Sequence, residues 1–179
     1  EQWQTWSSTT YTMLPYVIKL GLADDRIASW EDAWKEASPD SFVLESGKGG
    51  RYTHFGLHPF STIQGTGLEA EIKSYAHAEV SQVQGKPLDV VKQWMSSYHS
   101  PKVQGAPKFV GGCVGYWSYD VIRSIEELPE QSQDDLPIPD YSFAMYDQVW
   151  TLDHIERSLF IAVHMPFTPG VDLGELYTE

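Results

Sequence analysis

The sequence feature that most constrains the fold is the stretch from residue 42 to residue 56, where two strand-like runs flank a glycine-rich turn. Residues 42–44 are consecutively apolar, which predicts a short strand covered on both faces. The glycines within residues 47–50 accept positive φ angles, so the chain can reverse there before a second strand. Glu45 and Ser46 need hydrogen-bond partners if they stay inside. The stretch therefore predicts a hairpin that gathers polar groups beside an apolar wall, an arrangement that favours a small-ligand pocket.

Two segments have the spacing of short amphipathic helices. The first is predicted from Ser29, as N-cap, to a stop at residues 38–39, because apolar side chains recur every three or four residues. The second opens at Pro87, where a missing amide costs little, and ends before Pro101. Its predicted apolar face consists of Leu88, Val91, Trp94, Met95 and Tyr98. Residues 120–127 predict a third short helix. One side of that helix consists of Tyr119, Ile122 and Ile125.

The other hydrophobic runs predict antiparallel strands. In residues 3–20 apolar and polar residues alternate only in part, and Pro15 interrupts the pattern, which favours an edge strand. The predicted antiparallel meander consists of residues 62–64, 68–75 and 78–83. Residues 109–119 contain three glycines beside apolar side chains, which predicts close approach of another backbone or a ligand. A hairpin is predicted from residues 141–153 and 158–165, with the second arm central in its sheet. Together these elements predict an α+β fold that is largely antiparallel sheet with a few short packed helices.

The composition favours one domain over the range 1–179. A chain of 179 residues with 41% hydrophobic residues can bury about 70% of its unfolded surface. Lys and Arg total 12 against 25 Asp and Glu, and the net charge of -13 argues against nucleic acid or an anionic membrane as a partner. Neither a long apolar run nor a signal-like N-terminus is present, so we expect a cytoplasmic protein.

The ends of the sequence predict a piece of a longer protein. The chain starts at Glu1 without a methionine, and it stops just after residues 171–176, which read as the beginning of another element. Seven Trp, ten Tyr and seven Phe suit large core side chains and an interface that the rest of a longer protein would cover.

Three local chemical hypotheses are weak on the residues alone. The glycines around Lys48 invite a phosphate loop, but the Walker spacing is absent and a hairpin turn is favoured. Arg51 has the geometry to pair with Glu45 or with a ligand carboxylate, and a structural ion pair is preferred. The six histidines lack metal-site spacing, and Cys113, the single cysteine, reads as a small packed residue. We therefore expect no metal site in this chain.

Several separated motifs occur in one order along the chain. They are Val-Leu-Glu-Ser at residues 43–46, Gly-Arg-Tyr-Thr-His-Phe-Gly-Leu-His-Pro-Phe at residues 50–60, Phe-Val-Gly-Gly-Cys-Val-Gly-Tyr-Trp-Ser-Tyr-Asp at residues 109–120, and the pairs Ile125-Glu126 and Tyr146-Asp147. This set resembles the N-terminal region shared by component I of anthranilate synthase and component I of aminodeoxychorismate synthase. The resemblance runs from about residue 42 to residue 163. The four-residue turn 47–50 and the Asp-Asp-Leu at residues 134–136 look closer to the aminodeoxychorismate branch.

The resemblance implies a ligand site rather than a catalytic one. In this family the corresponding segments form part of a tryptophan pocket, so the resemblance implies a ligand-binding set in this chain. That set is Leu44, Glu45, Ser46, Arg51, Tyr52 and Thr53, with Thr53 standing where the family usually has serine. The family's chorismate-binding region, with its Mg²⁺-coordinating glutamates, lies further along the chain than residue 179. We therefore expect no catalytic residues and no cofactor here, with Mg²⁺ implied only for the full-length parent.

Three functions remain open at this point. The first is the N-terminal domain of aminodeoxychorismate synthase component I, in p-aminobenzoate and folate synthesis. The second is the corresponding domain of anthranilate synthase component I, which would transmit feedback inhibition by tryptophan. The third is a stand-alone amino-acid-binding module. The first two imply a glutamine amidotransferase subunit and the chain's own C-terminal chorismate-binding region as partners, with tryptophan as a ligand.

Overall fold

The computed structural model describes residues 6, 11–23, 30–47, 49–126, 137–168 and 170–178. Backbone packing divides the chain into two compact units. The first unit combines residues 1–59, 97–112 and 146–179, and the second combines residues 60–96 and 113–145. Each unit is built on one five-stranded sheet, and every pairing for which a register is defined is antiparallel. The prediction of an α+β fold with antiparallel sheets and a few short helices is confirmed.

The sheet of the first unit has the strand order β1-β10-β9-β3-β2. Its strands are β1 (Met13–Gly21), β2 (Phe42–Glu45), β3 (Tyr52–Gly56), β9 (Gln148–Asp153) and β10 (Ser158–Pro166). A buried cluster of Phe55, Leu152 and Leu159 lies on one face, against which Trp30 and Val43 pack. Trp30 belongs to α1 (Trp30–Ala33), which continues as a 3₁₀ turn over Trp34–Glu36. The predicted N-cap Ser29 lies outside the described residues.

Two predictions about this sheet are confirmed and one is wrong. β10 is central, between β1 and β9, and β1 is an edge strand. β1 begins only at Met13, and of the earlier residues that were predicted to belong to this strand, 3–5 and 7–10 lie outside the described residues. The expectation that residues 42–44 would be covered on both faces fails, because β2 is the other edge strand and Leu44 is 47% exposed. The apolar run was misleading since Phe42 and Val43 are packed on opposite faces while Leu44 reaches the surface.

The sheet of the second unit has the strand order β6-β5-β4-β8-β7. Its strands are β4 (Ser61–Thr66), β5 (Glu69–Ser74), β6 (Glu79–Gln84), β7 (Gly112–Trp117) and β8 (Tyr141–Tyr146). The predicted meander is confirmed as β4, β5 and β6. The predicted hairpin is wrong in its first arm, because residues 141–153 break at Asp147 into β8 and β9, which belong to different sheets. β9 and β10 do pair as a hairpin.

The close backbone approach predicted for the glycine-rich strand is confirmed at Gly115. A Cβ there would meet the carbonyl oxygen of Ser142 and would lie 2.6 Å from the Cα of Phe143. Both atoms belong to the backbone of β8, the neighbour of β7. Only glycine therefore fits this position without displacing a strand.

The helices of the second unit exist where predicted, but their buried faces differ. In α2 (Pro87–Ser96) Val90 is buried, whereas the predicted Leu88 and Met95 are exposed. The indole Nε1 of Trp94 donates to Ser61 Oγ at 3.0 Å, which fixes the helix rotation that spacing alone left open. Residues Tyr119–Ser124 form a 3₁₀ helix, and Val121 is its buried residue. On the predicted side Tyr119 and Ile125 are exposed, at 83% and 63%, and Ile122 is half-buried.

A short helix, α3 (Leu173–Thr178), follows the first sheet in sequence and returns to β1. The hydroxyl of Tyr177 donates to the carbonyl oxygen of Pro15 at 2.9 Å. Burial raises the pKa of this phenol to about 12, so Tyr177 remains a donor at neutral pH. Within the described ranges no helix is long and apolar enough to cross a membrane.

Candidate ligand site

The β2–β3 hairpin is closed by a turn in which Ser46 is already engaged. The amide of Ser46 and its Oγ both donate to the carbonyl oxygen of Tyr52, at 3.2 and 3.0 Å. Across the turn the amide of Gly50 donates to the carbonyl oxygen of Gly47 at 2.8 Å. Gly49 has a φ of 83°, the positive angle that the sequence predicts for this turn. The hairpin is therefore formed before any ligand arrives.

The strand register separates the predicted ligand-binding residues between two faces of the sheet. Leu44 lies opposite His54, and Glu45 lies opposite Thr53. Opposed residues share a face and successive residues alternate, so Leu44 and Tyr52 lie on one face while Glu45 and Thr53 lie on the other. The residues described here therefore do not form one pocket that all six side chains line.

On the face of Glu45, the polar groups are satisfied by nearby side chains. Glu45 Oε1 accepts a hydrogen bond of 2.8 Å from Trp30 Nε1. Thr53 is buried, and its Oγ1 lies 2.8 Å from His154 Nε2. The hydroxyl group at position 53 is thus engaged by His154, and threonine supplies this group as serine would. Its additional methyl group packs in the interior.

On the opposite face, aromatic rings surround His54 and leave part of the surface open. The rings of Tyr52 and Phe109 lie 5.7 and 5.6 Å from the His54 ring, and Leu44 is its cross-strand partner. His54 Nδ1 lies 2.8 Å from Thr151 Oγ1, and burial lowers the pKa of His54. The lowered pKa favours the neutral His54 ring at neutral pH, and the partly open aromatic surface around it suits a flat ring.

Arg51 forms a structural ion pair, as preferred from the sequence, but with different partners. Its Nε and Nη2 donate to Asp153 Oδ2 at 2.9 and 2.7 Å, and Nη2 also donates to Glu156 Oε1 at 2.9 Å. The predicted alternative of pairing with Glu45 is wrong, because Glu45 accepts from Trp30 instead. The guanidinium carbon also lies 4.9 Å from the centre of the Tyr52 ring.

Asp153 anchors this ion pair from inside the protein. Its side chain is fully buried. Burial alone would raise the pKa of Asp153, but the hydrogen bonds from Arg51 and from the amides of Glu156 and Ile155 outweigh it, and the net pKa is lowered. The same contacts raise the pKa of Arg51. A ligand carboxylate would have to share Arg51 with two protein carboxylates, so Arg51 is better placed to hold the hairpin than to bind an anion.

Sequence reasoning missed the partners that complete this site. Asp153 and His154 come from the end of β9, which pairs with β3 through Tyr52. In the sequence Asp153 and His154 are recognisable only as a polar pair at a turn. Their spacing does not indicate that they lie beside β3. Among the described residues no three His, Cys, Asp or Glu side chains converge as metal ligands.

Comparison with known proteins begins with sequence. No protein-family model matches the chain. Anthranilate synthase component 1 of Acetivibrio thermocellus is 32% identical over 141 residues, which cover 76% of this chain and 28% of that protein. Aminodeoxychorismate synthase component 1 of Bacillus subtilis (strain 168) is 36% identical over 139 residues, which cover 75% of this chain and 29% of that protein. This chain is a relative of the component I synthases.

The structural comparison agrees with this relationship at the level of the fold. The anthranilate synthase component I of Streptococcus pneumoniae TIGR4 superposes with a TM-score of 0.51 and 19% sequence identity. The superposition covers 88% of this chain and 33% of that structure. The chain thus spans less than a third of the length of these two curated component I relatives.

Proposed function

We propose that this chain is the N-terminal domain, residues 1–179, of an aminodeoxychorismate synthase component I in the cytoplasm. The observation that carries the proposal is the sequence relationship to component I proteins over three quarters of the chain. The aminodeoxychorismate branch is preferred because the turn between Ser46 and Arg51 has only four residues. In the complete enzyme, ammonia from a glutamine amidotransferase subunit would replace the 4-hydroxyl group of chorismate, as a step toward p-aminobenzoate and folate.

In this proposal the chain contributes scaffold and a ligand site, and the chemistry belongs to the rest of the enzyme. Mg²⁺ would be held by carboxylates of the chorismate-binding region, since the residues described here offer no such cluster. The aromatic face around Tyr52 and His54 would receive the indole of tryptophan. Leu44 and Ser46 would line the rim of this site together with a wall supplied by the rest of the parent protein.

The branch is tested by the product of the full-length protein. Supplied with chorismate, Mg²⁺ and an ammonium salt, the protein is expected to form 4-amino-4-deoxychorismate, identified by mass spectrometry after chromatography. Formation of anthranilate would reject the preferred branch and favour the alternative, an anthranilate synthase component I whose hairpin transmits tryptophan inhibition. Failure to convert chorismate at all would favour the stand-alone amino-acid-binding module.

The ligand site is tested by substituting Ser46 in the full-length protein. Ser46→Leu removes the hydroxyl that bonds to the Tyr52 carbonyl oxygen and places a branched side chain at the turn. We expect it to weaken tryptophan binding at least tenfold in titration calorimetry, because the hairpin rim is filled. Val80→Ser, at an exposed position of β6 in the second unit, is the control and should leave tryptophan binding within twofold. Equal tryptophan affinity in Ser46→Leu and the unsubstituted protein would remove Ser46 from the site.

A further inference from the structure

The second unit contains a cavity of about 540 Å³ that the proposed function does not use. It lies where the β4–β5 turn, the start of α2, the 3₁₀ helix and Asp140 meet. Small-molecule sites in proteins commonly have volumes of about 300–1,000 Å³, so this one is large enough for a metabolite. The cavity and the hairpin site belong to different units.

Hydrogen bonds between its walls hold the cavity in a fixed shape. The amide of Gly67 donates to Asp140 Oδ2 at 2.7 Å, and the amide of Ser118 donates to the carbonyl oxygen of Asp140 at 2.6 Å. The amide of Gly85, next to the start of α2, donates to the carbonyl oxygen of Leu68 at 2.9 Å. Four chain segments are thereby tied together, by two backbone–backbone hydrogen bonds and by one from a backbone amide to a side chain. A ligand would meet a largely formed site, which reduces the entropy lost on binding.

The charged groups that line the cavity are balanced but only partly paired. Asp120 accepts from Arg123 Nε at 3.0 Å, which forms an internal ion pair. Lys86 has no carboxylate within 4.0 Å among the residues that the structure describes. Asp140 uses Oδ2 for Gly67, and its Oδ1 accepts no hydrogen bond from that same set of residues. One ammonium group and one carboxylate oxygen therefore remain for a ligand.

The position of Lys86 strengthens its preference for an anionic ligand group. Its carbonyl oxygen accepts the amide of Val90 at 3.0 Å, so Lys86 immediately precedes the first turn of the ten-residue helix α2. The partial positive charge of a helix N-terminus adds to that of the side chain. Leu68, Pro87 and Val121 supply apolar lining beside these charges.

We propose that this cavity binds a small zwitterion, an α-amino acid with a compact apolar side chain. Its carboxylate pairs with Lys86, its ammonium group pairs with Asp140 Oδ1, and its side chain lies against Leu68 and Val121. The two charged groups on the α-carbon of such a ligand would thus meet the base and the acid of the lining that the Asp120–Arg123 pair leaves over. The site is independent of the aromatic face of the hairpin.

Titration calorimetry of the full-length protein with three probes tests this site. The probes are L-leucine, which carries both charges and an apolar side chain, acetate, which carries only the carboxylate, and methylammonium chloride, which carries only the cation. L-Leucine is expected to bind at least tenfold more tightly than acetate or methylammonium, because each fragment lacks one charge pair. Equal affinity for acetate and L-leucine, or no heat from L-leucine up to about 10 mM, would overturn the proposal.

Matched variants locate the binding event. Lys86→Met keeps the apolar stem and is expected to weaken L-leucine binding at least tenfold, and Asp140→Asn is expected to weaken it by a similar factor. Lys92→Met, on the same helix but outside the cavity lining, should change the affinity less than twofold. Thermal unfolding of each variant checks that the fold is kept. Unchanged L-leucine affinity in folded Lys86→Met contradicts the site.

Ser46→Leu separates this proposal from the one for the hairpin. L-Leucine binding should be unchanged in Ser46→Leu, because the substitution lies in the other unit. Loss of L-leucine binding in that variant would place the ligand at the hairpin and reject the cavity. If Ser46→Leu leaves tryptophan binding intact while Lys86→Met abolishes L-leucine binding, the hairpin proposal fails and the cavity proposal stands.

Discussion

Gly115→Ala is expected to lower the free energy of unfolding by about 3 kcal/mol, because the added methyl group has no space. It would meet the carbonyl oxygen of Ser142 and the Cα of Phe143, which are backbone atoms of β8. β8 also pairs with β4, from Ser61↔Met145 to Gly65↔Tyr141, so it cannot move without disturbing the sheet. Urea unfolding followed by circular dichroism measures the change, with the slope of the transition as a check on two-state behaviour.

Gly21→Ala is the matched control for this substitution. Gly21 also lies at a strand position, but a Cβ there meets nothing within 4 Å and its φ is not positive. We expect its free energy of unfolding to change by less than about 0.5 kcal/mol. If the two alanine variants have the same stability, the close approach of β7 and β8 is not a constraint on the fold.

Substitution of Asp153 is expected to give the second large effect, and its size should depend on pH. Asp153→Asn keeps the shape of the side chain but removes its negative charge. The carboxylate accepts hydrogen bonds from Arg51 and from the amides of Ile155 and Glu156. Near neutral pH we expect a loss of about 2–3 kcal/mol of stability, since charge-assisted hydrogen bonds of a buried group are lost.

The pH dependence follows from the direction of the pKa shift. The pKa of Asp153 in the folded protein is lowered below its unfolded value of about 3.9, so its stabilisation is present above about pH 4. The stabilisation is lost as the pH falls through the folded pKa. The stability difference between Asp153→Asn and the unsubstituted protein should therefore shrink between pH 6 and pH 2, measured by denaturant unfolding at each pH. Glu79→Gln, at an exposed position of β6, should give no such trend.

Local sequence patterns were sufficient to predict most strands and helices of this chain. Pro87 marked the start of α2, and Gly67, which has a φ of 59°, marked the turn between β4 and β5. Which side chains are buried was harder to predict, because the rotation of a helix about its axis and the sheet that a strand joins depend on tertiary contacts. The rotation of α2 depends on the Trp94–Ser61 hydrogen bond, and the break at Asp147 depends on which sheet each strand joins.

Only the part of the candidate site that is formed by residues close in sequence could be predicted. The hairpin from Phe42 to Gly56 can be read from the chain because its partners are close in sequence. The strand β9 and its Asp153, more than ninety residues away, cannot be inferred from spacing, because strand pairing over that distance is set by the whole sheet. The family resemblance supplied the ligand hypothesis. The register shows instead that the six predicted contacts are divided between two faces.

The pairing of β1 with β10 has a consequence for synthesis on the ribosome. β1 begins at Met13, and its partner ends at Pro166, so the first strand of the sheet pairs with the last. At translation rates of about 5–20 residues per second, β1 would wait roughly 10–30 s for that partner. During this interval the backbone amide and carbonyl groups of β1 that face β10 have no strand partner. The unpaired edge of β1 is therefore open to pairing with other chains until translation has passed residue 166.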